Sequence, residues 1–216
     1  MTTTKSLLVE LFVEELPPKA LRKLGEAFAG VLFDQLKDRG LITSNSSLSS
    51  FASPRRLGAH ITAVLSRAPD YEISEKLMPL SVGVKDGKAT DALRKRLTKE
   101  GRANLADLWP NSEDGPDRLV VQNDGKADAI YLRGMAVGSS LVVGLQSALE
   151  ESIRQLPIPK VMTYQLDDGW TDVKFVRPAH RLVALHGATV LSLGVLGLDA
   201  GNITEGHRFE CDPKAF

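Results

Sequence analysis

Apolar and polar residues along this chain alternate with two different periods. Residues 6–13 (SLLVELFV) form a short apolar run rich in Leu and Val, which predicts a mostly buried strand. From 19 to 39 the apolar residues Leu21, Leu24, Phe28, Val31, Leu32 and Leu36 recur at three and four, which predicts an amphipathic helix ended by Gly40. Between them stand Glu14, Glu15, Pro17 and Pro18. The prolines stop the strand and suit a helix entrance, where the glutamates would favour the helix dipole.

Residues 43–50 (TSNSSLSS) are small and polar and predict a loop. After Pro54, Arg55 and Arg56, the alternation of Leu57, Ala59, Ile61 and Ala63 predicts a half-buried strand over 57–65. A short strand is predicted at 81–84, followed by the turn Lys85-Asp86-Gly87-Lys88. Thr90 is placed to cap a helix running to about Glu100. Residues 111–117 form an acidic loop, and the Asp124-Gly125 turn between 118–122 and 127–135 signals a hairpin. Gly138-Ser139-Ser140 opens a second long helix, with Leu141, Leu145, Ala148, Leu149 and Ile153 on one face, and Pro157 and Pro159 bound it. Residues 173–176, 182–186 and 190–196 predict three more strands. Without strict βαβ alternation, this is an α+β pattern with mixed, mainly antiparallel sheets and two long amphipathic helices. It spans 1–216 as one large domain or as two closely packed subdomains with a break near 110–117.

Composition narrows the class. The 43% hydrophobic content is that of a globular chain. No apolar run approaches the roughly 18–20 residues that span a bilayer, and residues 1–5 lack a secretory pattern. The expectation is a cytoplasmic protein without a membrane partner. Cys211 is the one cysteine, so no internal disulfide can form. Net charge is +0, yet residues 1–108 carry 17 basic and 13 acidic groups against 10 and 14 in 109–216. The basic half is where an anionic partner would bind.

Few residues suggest chemistry. The run from Gly83 to Lys88 is one residue short of a phosphate-binding loop and lacks its Ser/Thr, so it reads as a hairpin turn. Arg208-Phe209-Glu210 has the Arg-x-Glu form of a class II synthetase strand, against which stands a plain surface ion pair. His180 and His186 fall on one strand face without a third metal ligand, and Cys211 has no base partner, so no metal or nucleophilic site is assigned. The cluster Arg94, Lys95, Arg96, Lys99 and Arg102 is either a phosphate face or a solvated helix face. Lys160 and Arg177 are pinned beside Pro159 and Pro178, which lowers the entropy lost on binding.

The same places carry a set of motifs. They are Leu8-Val9-Glu10 with 14–21 (EELPPKAL), 53–57 (SPRRL), 156–162 (LPIPKVM), 175–180 (FVRPAH), and Gly201-Asn202 with 206–209 (GHRF). In this order they resemble the beta subunit of bacterial heterotetrameric glycyl-tRNA synthetase. One departure stands after Met162. The family's Arg-Trp-Gly is replaced by Thr163-Tyr164-Gln165, which keeps an aromatic residue and loses the basic one.

The resemblance implies an N-terminal fragment, since the family's beta chains continue into an HD-like domain and an anticodon-binding region. It implies an α+β domain similar to one in the phenylalanyl synthetase beta chain. It places the class II active site in the alpha subunit, so this chain would supply no catalytic residue and be inactive alone, and Arg208-Phe209-Glu210 is read as coincidental. ATP and Mg are used by the whole enzyme, with no cofactor held here. The implied partners are the alpha subunit, tRNA(Gly) and the remaining beta-subunit domains. Contacts to tRNA or to neighbouring domains are expected from Arg55, Arg56, Lys160, Arg177, His207 and Arg208. Glu14 and Glu15 are expected to cap the first helix or pair with an arginine, and Pro17, Pro18, Pro54, Pro159 and Pro178 to fix the backbone. The alternative is a scaffold that holds the assembly together without touching tRNA.

Overall fold

The computed structural model describes residues 3–110, 117–123, 125, 127–158 and 160–206. The chain divides into two units, Met1–Pro69 with Ser139–Phe216, and Asp70–Gly138, so the second is inserted into the first. Of the break expected near 110–117, residues 111–116 lie outside the described residues.

The first unit is built on β1 (Thr4–Val13), whose Leu7, Val9, Leu11 and Val13 are buried. It pairs antiparallel with β3 (Arg56–Leu65) on one side and β11 (Ala179–His186) on the other. β2 (Leu48–Ser53) adds to β3, and β14 (Leu198–Gly201) runs parallel to β11. The short strands β12 (Thr189–Val190) and β13 (Gly194–Val195) pair with β11 and β14. Helices α1 (Leu21–Asp38) and α4 (Leu141–Arg154) bury Leu24, Phe28, Leu32, Leu36, Leu145 and Leu149 in the same core. α4 begins where Gly138-Ser139-Ser140 was expected to open it, and Ser140 caps it by accepting from Val143 N–H. Ser152 is buried between the helices and donates its hydroxyl to the Phe28 carbonyl at 2.9 Å. β9 (Met162–Gln165) and β10 (Asp172–Phe175) form a separate hairpin.

Three expectations change here. Part of the loop predicted at 43–50 is strand, because β3 supplies hydrogen-bond partners to Leu48, Ser49 and Ser50 whatever their polarity. The alternation in β3 slips where Ala63 takes φ 50°, so Val64 rather than Ala63 is buried. The strand predicted at 190–196 breaks into β12 and β13, and β9 was not predicted.

The inserted unit carries β4 (Tyr71–Pro79), β7 (Arg118–Asn123) and β8 (Asp128–Ala136), antiparallel in the order β4-β8-β7. The predicted strand at 81–84 is instead mostly α2 (Leu80–Gly83), a single turn. Gly83 packs closely there: a Cβ would sit 2.4 Å from Ile130 Cδ1, so the buried Ile130 side chain would have to shift. β5 (Val84–Lys85) and β6 (Lys88–Ala89) then enclose Asp86 and Gly87, both at positive φ. That is a two-residue hairpin turn, so the phosphate-loop resemblance is a turn. α3 (Asp91–Lys99) is capped by Thr90, as predicted. Leu93 and Leu97 pack on Leu119, Ile130 and Leu132, with Leu105 from a one-turn 3-10 helix (Ala103–Ala106).

Candidate functional site

At the end of β1 three separate motifs meet. Val13 N–H donates to the Arg55 carbonyl at 3.0 Å, Glu14 N–H to the Pro178 carbonyl at 2.9 Å, and Leu16 N–H to the Pro54 carbonyl at 2.6 Å. Proline has no N–H to offer but keeps its carbonyl, so Pro54 and Pro178 serve as fixed acceptors for the outgoing strand. Pro17 continues the path by accepting from Ala20 N–H at 2.9 Å. Leu16 is buried beneath and anchors the corner. The result is an open depression of about 710 Å³ lined by Glu14, Glu15, Pro17, Pro54, Arg55 and Arg177, among others.

Its charges are paired unequally. Arg55 Nη2 lies 3.2 Å from Glu15 Oε1 and 3.6 Å from Glu14 Oε2. His180 Nε2 reaches Glu14 Oε1 at 3.0 Å. Arg177 instead donates to neutral acceptors, the Glu15 carbonyl at 3.0 Å and the Val176 carbonyl at 3.2 Å, and contacts Met162 Sδ. Its positive charge is therefore held in place without being neutralised by a described carboxylate. Lys160 is exposed and lies two residues before β9. Glu14 and Glu15 pair with Arg55 and do not cap α1, whose N-cap is Ala20 with no side-chain bond.

Arg56 differs from its neighbour. Its Nη1 donates to Glu10 Oε1 at 2.9 Å and its guanidinium lies over the Phe12 ring. Nη2 reaches the Glu205 carbonyl, and Thr204 Oγ1 donates to Glu10 Oε2 at 2.6 Å. Arg181 closes the group by pairing with Glu205 at 2.7 Å. The expected exposed contact at Arg56 is thus an internal tie, because β1 and β3 set Arg56 opposite Phe12 with Glu10 on the same face. Glu10 stood in the sequence only as part of the Leu8-Val9-Glu10 motif, and Phe12, Arg181 and Glu205 were not singled out there. Only the residue pairing across strands brings them together.

The other candidates separate in the same way. Arg94 pairs with Asp107, Arg96 with Glu75 at 2.6 Å, and Arg102 with Asp117 at 2.7 Å, so the cluster's arginines are internally paired. His186 is buried and donates Nε2–H to the Val64 carbonyl at 2.9 Å, while His180 is exposed. Tyr164 Oη accepts from Ala179 N–H at 3.2 Å, tying β9 to β11. His207, Arg208, Cys211 and Pro159 lie outside the described residues. Among the described residues no three His, Cys, Asp or Glu side chains are grouped to hold a metal ion, and no helix is long and apolar enough to cross a membrane.

A family model described as the glycyl-tRNA synthetase beta subunit matches residues 7–216. The chain is 56% identical over 209 residues to a "Glycine--tRNA ligase beta subunit" of Janthinobacterium sp. (strain Marseille), covering 96% of this chain and 29% of that protein. Identity is 57% over 214 residues to the protein of the same name from Polaromonas naphthalenivorans (strain CJ2), with 96% and 29% covered. It is 53% over 218 residues to that of Dechloromonas aromatica (strain RCB), with 99% and 30% covered. The chain spans about 29% of the length of the first of these relatives.

Proposed function

Since the chain belongs to the glycyl-tRNA synthetase beta subunit family, we propose that it serves glycine–tRNA ligase as a module for gripping tRNA(Gly). The whole enzyme would attach glycine to tRNA in protein synthesis in the cytoplasm, using ATP and Mg. In this reading the alpha subunit holds the class II site, and the described chain contributes binding rather than bond making. The observation that carries the assignment of a surface is the convergence of the EELPP, SPRR and VRPAH motifs on one corner. There Arg177 presents a positive charge that no described carboxylate pairs, on a backbone fixed by Pro178, with Arg55 beside it. A guanidinium so placed suits a backbone phosphate. Lys160, exposed just before β9, remains with His207 and Arg208 a sequence-based contact candidate.

The test pairs full-length beta subunit with alpha subunit and reads charging and tRNA affinity. Arg55→Ala with Arg177→Ala should lower both and flatten the salt dependence. Unchanged charging and affinity would remove the corner from the tRNA path.

A second reading has its own support. Arg55 is already paired with Glu14 and Glu15. A corner nearly balanced in charge also suits a neighbouring domain or the alpha subunit. In that case the same double variant would weaken subunit assembly, seen by sedimentation, while the salt slope of tRNA binding stays as in wild type.

A further inference from the structure

One face of the three-stranded sheet in the inserted unit carries a charge arrangement that the sheet does not explain. β7 and β8 pair so that Arg118 stands directly opposite Arg133. Directly opposed residues share a face with Cβ atoms about 4.5–5.5 Å apart, and like charges there repel. Among the described residues no carboxylate pairs with either one. Arg133 Nη2 donates to the neutral Gln122 Oε1 at 3.0 Å. The contrast with Arg94, Arg96 and Arg102 of the same unit, each paired with a carboxylate, is direct.

The two arginines line an open depression of about 380 Å³ with Ser74 and Met135. Glu72 also borders it, opposite Met135, and is paired with neither arginine. Two residues along each strand, on the same face, Val120 opposes Tyr131, and Gln122 follows. Tyr131 and Val120 are half-buried, and Arg118 and Gln122 are exposed. A forked cation pair beside an aromatic ring and an amide matches what an RNA strand offers: phosphate for the forks, base for the ring.

We propose that this face is an RNA-contact surface in which Arg118 and Arg133 share one backbone phosphate and Tyr131 packs on the adjoining nucleotide. A shared phosphate converts the repulsion across the strands into two attractions. The ring and the Gln122 amide, which a base can use, favour RNA over an acidic peptide. The naming of tRNA as the ligand rests on the family reading above, while the surface itself stands apart from the Arg55 and Arg177 corner.

The test uses full-length beta subunit with alpha subunit and a fluorescein-labelled tRNA(Gly) transcript, with anisotropy read across a salt series. Arg118→Gln with Arg133→Gln should weaken binding about tenfold and flatten the plot of log affinity against log salt by about 0.7–0.9, one phosphate's worth. Tyr131→Ala should weaken binding without changing the slope. Unchanged affinity and slope in the arginine variant overturn the proposal. Should that variant unfold, hydrogen exchange on the unaltered protein decides. Added tRNA should slow exchange in β7 and β8, and no slowing there overturns the proposal. Binding of polyglutamate in place of tRNA at these residues also overturns it. Loss of charging in the Arg55/Arg177 variant, with no effect of the Arg118/Arg133 variant, sinks this inference and leaves the corner standing.

Discussion

Arg56 lies with its guanidinium carbon 4.4 Å from the centre of the Phe12 ring, directly across the strand pair from it. The same side chain is the partner of Glu10, whose side chain is only 12% exposed. A carboxylate so placed, left without its cation, stays desolvated and uncompensated. Arg56→Ala should therefore destabilise the first unit by about 2 kcal/mol, combining the lost pair and the lost ring contact. Urea denaturation of the purified chain measures it. Arg56→Lys should recover less than half, because an ammonium cannot lie flat on the ring and also bond Glu10 and the Glu205 carbonyl. A stability loss under about 0.5 kcal/mol, within the ordinary range of surface substitutions, would mean that the tie carries little.

Arg55 and Arg177 should behave differently from Arg56 and from each other. Arg55 and Glu14 are partly exposed and Glu15 is exposed, so Arg55→Ala should change stability by no more than about 1 kcal/mol. Arg177 is bonded to carbonyls and keeps its charge available. If the corner binds tRNA, Arg177→Ala should flatten the salt slope by about 0.7–0.9, and Arg55→Ala by less. Glu15→Gln should release Arg55 and tighten tRNA binding. A Glu15→Gln variant that binds tRNA more weakly would show that the glutamate itself contributes to the contact.

The three longer helices, α1, α3 and α4, were legible in the sequence because their signals are local, whereas the single turn of α2 was too short to carry a period. Thr90 caps α3 as expected, α4 starts directly after Gly138-Ser139-Ser140, and the apolar period of α1 is the period of its buried face. β1 was legible for the same reason, since Leu7, Val9, Leu11 and Val13 carry the core by themselves. β4 was not, because Glu75 sits among its ladder residues and finds Arg96 from α3, a partner in another element. β2 was hidden by its serines, which need only the hydrogen bonds of β3. At the candidate site, the motifs marked the right segments. They could not say that Arg55 faces outward while Arg56 turns onto Phe12, which depends on strand register.

Gly25 makes a packing prediction with a built-in control. A Cβ on Gly25 would lie 2.6 Å from Ala52 Cβ, where α1 crosses β2. Ala52 Cβ is fixed to a strand backbone and cannot swing away, so one element must shift. Gly25→Ala gains about 1 kcal/mol of helix propensity but incurs an overpacking cost of about 1–3 kcal/mol. The net should be a destabilisation of up to about 2 kcal/mol by these same terms, read by thermal or urea unfolding. Ala52→Gly in the Gly25→Ala background should restore most of the loss. Absence of that rescue would place the strain elsewhere.

Asp168 gives the pH prediction. In the turn between β9 and β10 its Oδ2 accepts from the Thr171 hydroxyl at 2.5 Å, and Oδ1 accepts from the N–H of Thr171 and of Trp170, both at 2.9 Å. These bonds hold the carboxyl below its ordinary range, the Thr171 hydroxyl first and the two backbone groups after it. All three favour the ionised form. The folded value is depressed, so the stabilisation is present above the unfolded carboxylate pKa and is lost as pH falls through the folded one. Protection of the Trp170 and Thr171 amides, their exchange rate measured against the free-peptide rate at the same pH, should therefore hold near neutrality and fall on acidification below the usual carboxylate range. Carboxyl-detected NMR titration should give Asp168 a midpoint below that of an unfolded aspartate. Thr171→Val removes the strongest bond and should move the midpoint up toward the ordinary value. A midpoint that does not move in Thr171→Val would show that the two backbone N–H groups alone hold the carboxylate.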